Sequence, residues 1–301
     1  MDYKKSFTIQ FAGLRIVFHL PSATRCPEAF VPFLSDEVSD AMDSETADAE
    51  YEIKLLKTPL QLAGLPVGSY GGMKVYPHKN GWLRVYTPLT DMDGCQVACL
   101  SGKGGKHILY YPASRWEHYA QEWNCLHLLG IEEVLIQRDA LLLHSSVVQI
   151  HGQAVLFSGP SGIGKSTQAA LWEQYLGAET LNGDRCIIRK KQNQFYGCGS
   201  PWCGTSAIYR QEQAPIKGIF LLGQSQENTI KQAGAAAFTR LFQQCIVNQW
   251  DCESVVKLTD LLAELLNRIP VYELNCRPDE DAVRLAYNTL FAYDTFVEGG
   301  F

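Results

Sequence analysis

The chain has 301 residues, 46% hydrophobic, 11% aromatic and 19% charged, with a formal net charge of −6. This balance excludes wholesale disorder and fibrous repeats, allows about two domains, and argues against a large nucleic-acid footprint. The acid is concentrated: eight carboxylates lie between Asp36 and Glu52 without a Lys or Arg among them, leaving 24 acids against 26 bases elsewhere.

That acidic run reads as a solvated loop or helix face, or else as a docking surface for a basic partner. Around it, residues 1–115 read as a β-rich accessory domain. Short β-branched or aromatic stretches at Phe7–Phe11, Arg15–His19, Tyr51–Leu56, Gly72–Pro77, Trp82–Thr87, Gln96–Leu100 and His107–Tyr111 predict strands. No chemical constellation stands out there. Residues 116–140 read as a helical connector with apolar residues at Trp116, Tyr119, Trp123, Leu126, Leu129, Val134 and Leu135, which Gly130 interrupts. Trp116 and Trp123 are expected to pack between domains.

Residues 141–301 change pattern. Leu141–Ile150 and Gln153–Phe157 predict strands joined by a tight turn at His151–Gly152. A glycine-rich loop follows, then a helix over Lys165–Leu176 that Gly177 closes. Strands are predicted at Glu179–Asn182, Cys186–Arg189, Gln194–Gly197, Ile216–Leu222 and Val271–Leu274, and helices at Ala233–Val247, Ser254–Asn267 and Pro278–Phe291.

The ten cysteines include no CxxC pair and no zinc-like Cys/His spacing, so free thiols in a reducing cytoplasm are the expectation. The N-terminus lacks an apolar signal core and no apolar run approaches a membrane span, so no membrane partner is expected.

Gly159-Pro160-Ser161-Gly162-Ile163-Gly164-Lys165-Ser166 matches G-x-x-x-x-G-K-[ST]. Glycines let successive backbone N–H groups wrap phosphates, and the next helix aims its positive end at them. A chance match in a chain of this length is on the order of one in a hundred. The loop also follows a strand and opens a helix, as the chemistry requires. Gly159, Ser161, Gly162, Ile163, Gly164, Lys165, Ser166 and Thr167 are therefore the expected nucleotide-binding residues. Lys165 would reach the β and γ phosphates, and the Ser166 hydroxyl would ligate Mg²⁺. Asp184, in Leu181-Asn182-Gly183-Asp184-Arg185, is the expected second metal ligand; a plain turn aspartate is the alternative.

The run Leu143–Arg185 resembles the C-terminal catalytic domain of HPr kinase/phosphorylase and, more broadly, the P-loop fold shared with phosphoenolpyruvate carboxykinases. The carriers are His144-Ser145-Ser146-Val147-Val148, the glycine loop and Gly183-Asp184-Arg185, with His144 fifteen residues before Gly159. It also resembles bacterial HPr-kinase-like proteins through Leu171-Trp172, Asn182-Gly183-Asp184 and Pro201-Trp202-Cys203-Gly204. The resemblance implies an α/β (α+β) fold class with a P-loop domain of that type behind a β-rich N-terminal domain. It implies that His144 and Asp184 are active-site residues beside Lys165, and, by analogy alone, a homo-oligomer. Two positions depart from the family, which has an aspartate where Pro160 stands and another where Gly183 stands.

The expected function is that of a Mg²⁺/ATP-dependent kinase acting on a hydroxyl: a serine of a protein or peptide, or a small molecule. Asp184 and His144 are both candidates for the base. The two missing carboxylates favour the alternative of a nucleotide-binding regulatory or assembly protein with little transfer; a simple ATPase is a third reading. The loop Gly197–Thr205 either faces the site, with Trp202 stacking on a ligand, or is a structural turn around a buried tryptophan. A Cys198–Cys203 redox pair is a further option.

Overall fold

The structure, a computed structural model, describes residues 4–35, 47–70, 72–87, 96–119 and 126–292. Residues 36–46 of the acidic run, Trp123, Cys95 and Cys125 lie outside them. The fold is mixed α/β with two sheets, and the chain forms two compact units: Met1–Val134 with Gln249–Cys252, and Leu135–Asn248 with Glu253–Phe301. Among the described residues no helix is long and apolar enough to cross a membrane.

The first unit holds strands β1 (Lys4–Phe11), β2 (Leu14–Thr24), β3 (Ala49–Leu56), β4 (Gly68–Tyr70), β5 (Met73–His78), β6 (Gly81–Tyr86), β7 (Val97–Ser101) and β8 (Lys106–Pro112). They form one sheet in the order β1-β2-β3-β8-β7-β6-β5-β4. β2 alternates buried with exposed residues in its first half, burying Leu14, Ile16 and Phe18. Phe18 stacks on Tyr51 at 5.1 Å and meets Phe30 at 5.4 Å. Among the described residues the expected connector carries three short helices, α1 (Trp116–Tyr119), α2 (Leu126–Leu129) and α3 (Ile131–Ile136). Gly130 sits between the last two at φ +64, where a Cβ would lie 2.5 Å from the Arg84 guanidinium carbon. Trp116 is buried inside this unit, edge-on to Tyr111 at 5.5 Å and donating to Ser22 Oγ at 3.2 Å.

The unit also buries charge. Arg84 is fully buried, pairs with Glu133 at 2.5 Å and Glu132 at 3.4 Å, and donates to Ser101 Oγ. Trp250 lies under its guanidinium at 5.9 Å. The two carboxylates hold the Arg84 proton against burial, while burial raises Glu132.

The second unit begins with β9 (Ala140–Ile150) and β10 (Gln153–Ser158), an antiparallel hairpin turned at His151 and Gly152, both at positive φ. Then come α4 (Lys165–Leu176), β11 (Glu179–Asn182), β12 (Arg185–Lys191), β13 (Gln194–Cys198), β14 (Gln213–Gln224) and β15 (Thr229–Gln232). The rest is α5 (Ala236–Phe242), β16 (Cys245–Ile246), α6 (Cys252–Arg268), β17 (Val271–Cys276) and α7 (Glu280–Phe291). The sheet runs β10-β9-β12-β13-β14-β17-β15, and β10 also pairs in parallel with β14, closing a ring of five strands. One apolar core packs Leu143, Val147, Leu156 and Leu221 against α5 and α6. The other packs Val148, Val155, Phe157 and Phe220 against α4 and α7. α6 buries Leu258, Leu261, Leu262 and Leu265 at helical spacing, each contributing about 1.5–3 kcal/mol by burial.

The single helix expected over Ala233–Val247 does not form. α5 stops at Phe242, and Cys245 and Ile246 pair with Leu143 and Leu142 of β9 instead. Strand pairing there overrides helical propensity.

Candidate functional site

β10 delivers the chain to Gly159, and three loop glycines take positive φ: Gly159 at +152, Gly162 at +79 and Gly164 at +115. A Cβ on Gly162 or Gly164 would meet nothing within 4 Å, so conformation rather than crowding demands glycine, and open space lies beside the loop. Gly164 caps α4 without a side-chain hydrogen bond. The first-turn amides of α4 thus lack a side-chain cap at its positive end.

Lys165 folds back across the loop, its Nζ donating to the carbonyls of Gly159 and Pro160 at 3.1 Å each. Burial lowers its pKa, opposed by Asp184 and reinforced by Arg185. Ser146 Oγ of β9 donates to the Lys165 carbonyl at 2.9 Å and ties the hairpin to the helix start. Ser161, Ser166 and Thr167 are exposed, and Ile163 packs on the α4–α7 core. Ser166 Oγ donates to the Gly183 carbonyl at 3.4 Å, a long contact that holds it weakly.

His144 is fixed by its backbone on both sides. Its N–H donates to the Gln244 carbonyl at 2.9 Å, and its own carbonyl accepts from Ser158 Oγ at 3.1 Å. An irregularity sets Arg185 opposite both His144 and Ser145, which draws the Asp184 turn alongside. His144 Nε2 lies 3.0 Å from Asp184 Oδ1, and Arg185 Nη1 lies 3.1 Å from Asp184 Oδ2. The His144 hydrogen bond, then Arg185 and Lys165, hold the Asp184 carboxyl below its usual range against the opposing effect of burial.

Asn182, fully buried, organises the turn. Its Oδ1 accepts from the Asp184 and Arg185 amides at 2.9 and 2.7 Å. Its Nδ2 lies within hydrogen-bond reach of the carbonyls of Ser200 and Trp202, at 3.1 Å each. One side chain thus joins the Asp184 turn to the loop after β13. The sequence reading passed over this role, although Asn bonding the amide two residues on is a known turn device. The Gln244 contact had no local signal at all.

The residues expected from the sequence at the glycine loop, the Asp184 turn and the His144 strand come together around the end of β10 and the start of β12. Trp202 is buried, at 8% exposure, which favours the structural-turn reading over a stacking platform. Cys198 and Cys203 are free thiols with separate partners: Cys198 Sγ lies near Gln213 Oε1 and Cys203 Sγ near the Gly204 carbonyl. Burial pushes Cys198 up to about 12 and raises Cys203. Among the described residues, no group of three His, Cys, Asp or Glu could hold a metal ion. The Ser166 hydroxyl and the Asp184 carboxylate are the metal-compatible oxygens beside the loop.

Residues 122–278 match the family described as SynChlorMet cassette protein ScmC. The chain belongs to that family. No curated protein matches it. Among solved structures it is similar to the Hpr(Ser) kinase/phosphatase from Coxiella burnetii, at 14% identity and a TM-score of 0.30, over 52% of this chain and 99% of that one.

Proposed function

We propose that this ScmC-family chain is a Mg²⁺/ATP-dependent phosphotransferase acting on a hydroxyl acceptor, with a P-loop domain of the HPr kinase type. The acceptor is a serine of a protein or peptide, or a small molecule. The observation that carries this function is the His144–Asp184 pair, 3.0 Å apart, set beside a glycine loop that ends in a buried lysine.

Phosphoryl transfer needs positioning and charge neutralisation more than covalent chemistry. The loop amides, the start of α4 and Lys165 bind the phosphates, with the ammonium leaving its loop carbonyls for phosphate oxygens. The residues present fit a divalent cation completed by phosphate oxygens: Ser166 Oγ is weakly held, and Asp184 has lone pairs beyond those used by His144 and Arg185. Bound there, the metal supplies charge stabilisation to the transferring group. Asp184 is ionised and accepts only, so the proton of its hydrogen bond with His144 lies on His144 Nε2. The His144 Nδ1 lone pair then takes the acceptor's proton, and Asp184 stabilises the resulting imidazolium.

Label transfer from γ-labelled ATP with Mg²⁺, in a cytosolic extract of the source organism, tests this. Label is expected in a protein, peptide or small-molecule phosphoester with the natural chain and absent with Lys165→Ala. Equal label in the variant overturns the assignment. Label only in free phosphate marks an ATPase. ATP binding without any transfer marks a regulatory or assembly protein, a reading that Pro160 and Gly183 favour because neither supplies a carboxylate.

A further inference from the structure

One cation on the other flank of the loop is unused so far. The break after α5 lets Cys245 and Ile246 pair with β9, and the Gln244 carbonyl takes the His144 N–H. That pairing anchors α5 near the carboxyl ends of β10, β14 and β17, and Arg240 stands there. Arg240 Nη2 donates to the Leu222 carbonyl at 3.4 Å, and Nη1 lies 3.4 Å from Glu273 Oε1. The Leu222 oxygen is also the backbone atom that a Cβ on Gly159 would meet at 3.6 Å. The guanidinium therefore stands one carbonyl away from the first loop glycine. The end of β14 touches the loop again where Gln224 Nε2 donates to the Gly162 carbonyl at 3.4 Å.

Neither Arg240 contact is strong. Both are at the long limit for a hydrogen bond, and the side chain is 35% exposed, so the guanidinium is free to pivot. Its carboxylate is shared: Glu273 also pairs with Lys231 at 3.1 Å. One anion thus faces two cations, leaving positive charge beside a loop shaped for an anion. α4 and Lys165 approach the strand ends from one face of the sheet, and α5 and Arg240 from the other. The loop amides wrap the inner phosphates, so the outermost phosphate is the one left between the two faces.

We infer that Arg240 binds the terminal phosphate of a nucleoside triphosphate opposite Lys165, and so gives the site its preference for triphosphate over diphosphate. This rests on the nucleotide reading above. A guanidinium suits the task because its fork can bond two phosphate oxygens at once.

Titrations of the full chain with fluorescent ATP and ADP analogues and Mg²⁺ decide it. Arg240→Ala is expected to weaken the triphosphate roughly tenfold or more and the diphosphate less than about twofold, the worth of a charge-assisted contact to one phosphate. Arg240→Lys keeps the charge, loses the fork and falls between. Glu273→Gln frees the guanidinium and leaves triphosphate binding unchanged or tighter. An unchanged ratio of the two affinities in Arg240→Ala overturns the inference. So does a matching loss in Glu273→Gln, which would make the pair structural. Should Arg240→Ala not fold, the ratio in Arg240→Lys is judged by the same criterion. A natural chain that binds neither analogue overturns the nucleotide reading itself, and this inference with it.

Discussion

The two units use the same side chains for opposite ends. In the second, His144, Asp184 and Arg185 are each about a fifth exposed, at 21%, 23% and 21%, beside a loop with open space. In the first, Arg84 is at 0% and its partners Glu132 and Glu133 at 9% and 15%, packed among Trp250, Ser101 and Gly130. Charges that keep a water-facing side can exchange partners and do chemistry. Charges taken wholly out of water are committed to each other, because any unpaired one is costly.

Removing one member from each cluster puts the contrast to its hardest test. Arg84→Ala leaves two carboxylates buried without their cation and is expected to cost about 3–5 kcal/mol of stability. Lys165→Ala is expected to stay within about 1 kcal/mol in stability while losing transfer altogether. Denaturant unfolding of both variants checks this. A Lys165→Ala chain as unstable as Arg84→Ala would erase the distinction.

The contrast also decides what the sequence could reveal. The glycine loop, α4, its Gly177 stop and the Asp184 turn are written in consecutive residues, so each was legible before the fold. His144 was legible through a family resemblance and its spacing. The buried cluster was not: Arg84, Ser101, His107, the adjacent Glu132 and Glu133, and Trp250 come from five separated places, and nothing local marks any of them. Asn182 fell between these cases, since its turn was visible but its reach to Ser200 and Trp202 depended on where β13 would end. The helix expected across Cys245–Val247 failed for the same reason, because its strand partner lies about a hundred residues earlier in the chain.

A pH titration sharpens the comparison with a somewhat smaller effect. His107 is buried against Tyr51, ring to ring at 4.5 Å, and neither ring nitrogen has a hydrogen-bond partner among the described residues. Burial, then the Arg84 charge, lowers its pKa from 6.5 to about 4. The folded state thus resists a proton that the unfolded chain accepts. Stability is present above pH 6.5 and drains away as pH falls towards 4, by roughly 3 kcal/mol across the window. Glu132, raised by burial, pulls the other way, gaining stability as it protonates. The difference between the natural chain and His107→Leu, unfolded in urea at neutral and acid pH, isolates the histidine. A variant that loses as much stability on acidification as the natural chain would refute the assignment.

The smallest effect lies at the site itself, at Gly183, next to Asp184 in the turn. A Cβ there would lie 2.4 Å from Ser206 Oγ and 2.5 Å from Ser206 Cβ. Ser206 is held in turn, its Oγ donating to the Cys203 carbonyl at 2.7 Å. Crowding of this kind costs about 1–2 kcal/mol when neighbours can shift a little. Gly183→Ala is therefore expected to destabilise the chain by that much, and Ser206→Gly in the same chain to restore most of it. The double-mutant cycle should show a coupling of about 1 kcal/mol, since the two side chains claim the same space. Simple additivity would mean that Gly183 is there for its backbone instead, and that an aspartate could be accommodated without clearing Ser206. If the coupling holds, a serine-anchored loop fills the space beside Gly183 in which a second carboxylate would stand. The proton-accepting work would then rest with the His144–Asp184 pair alone.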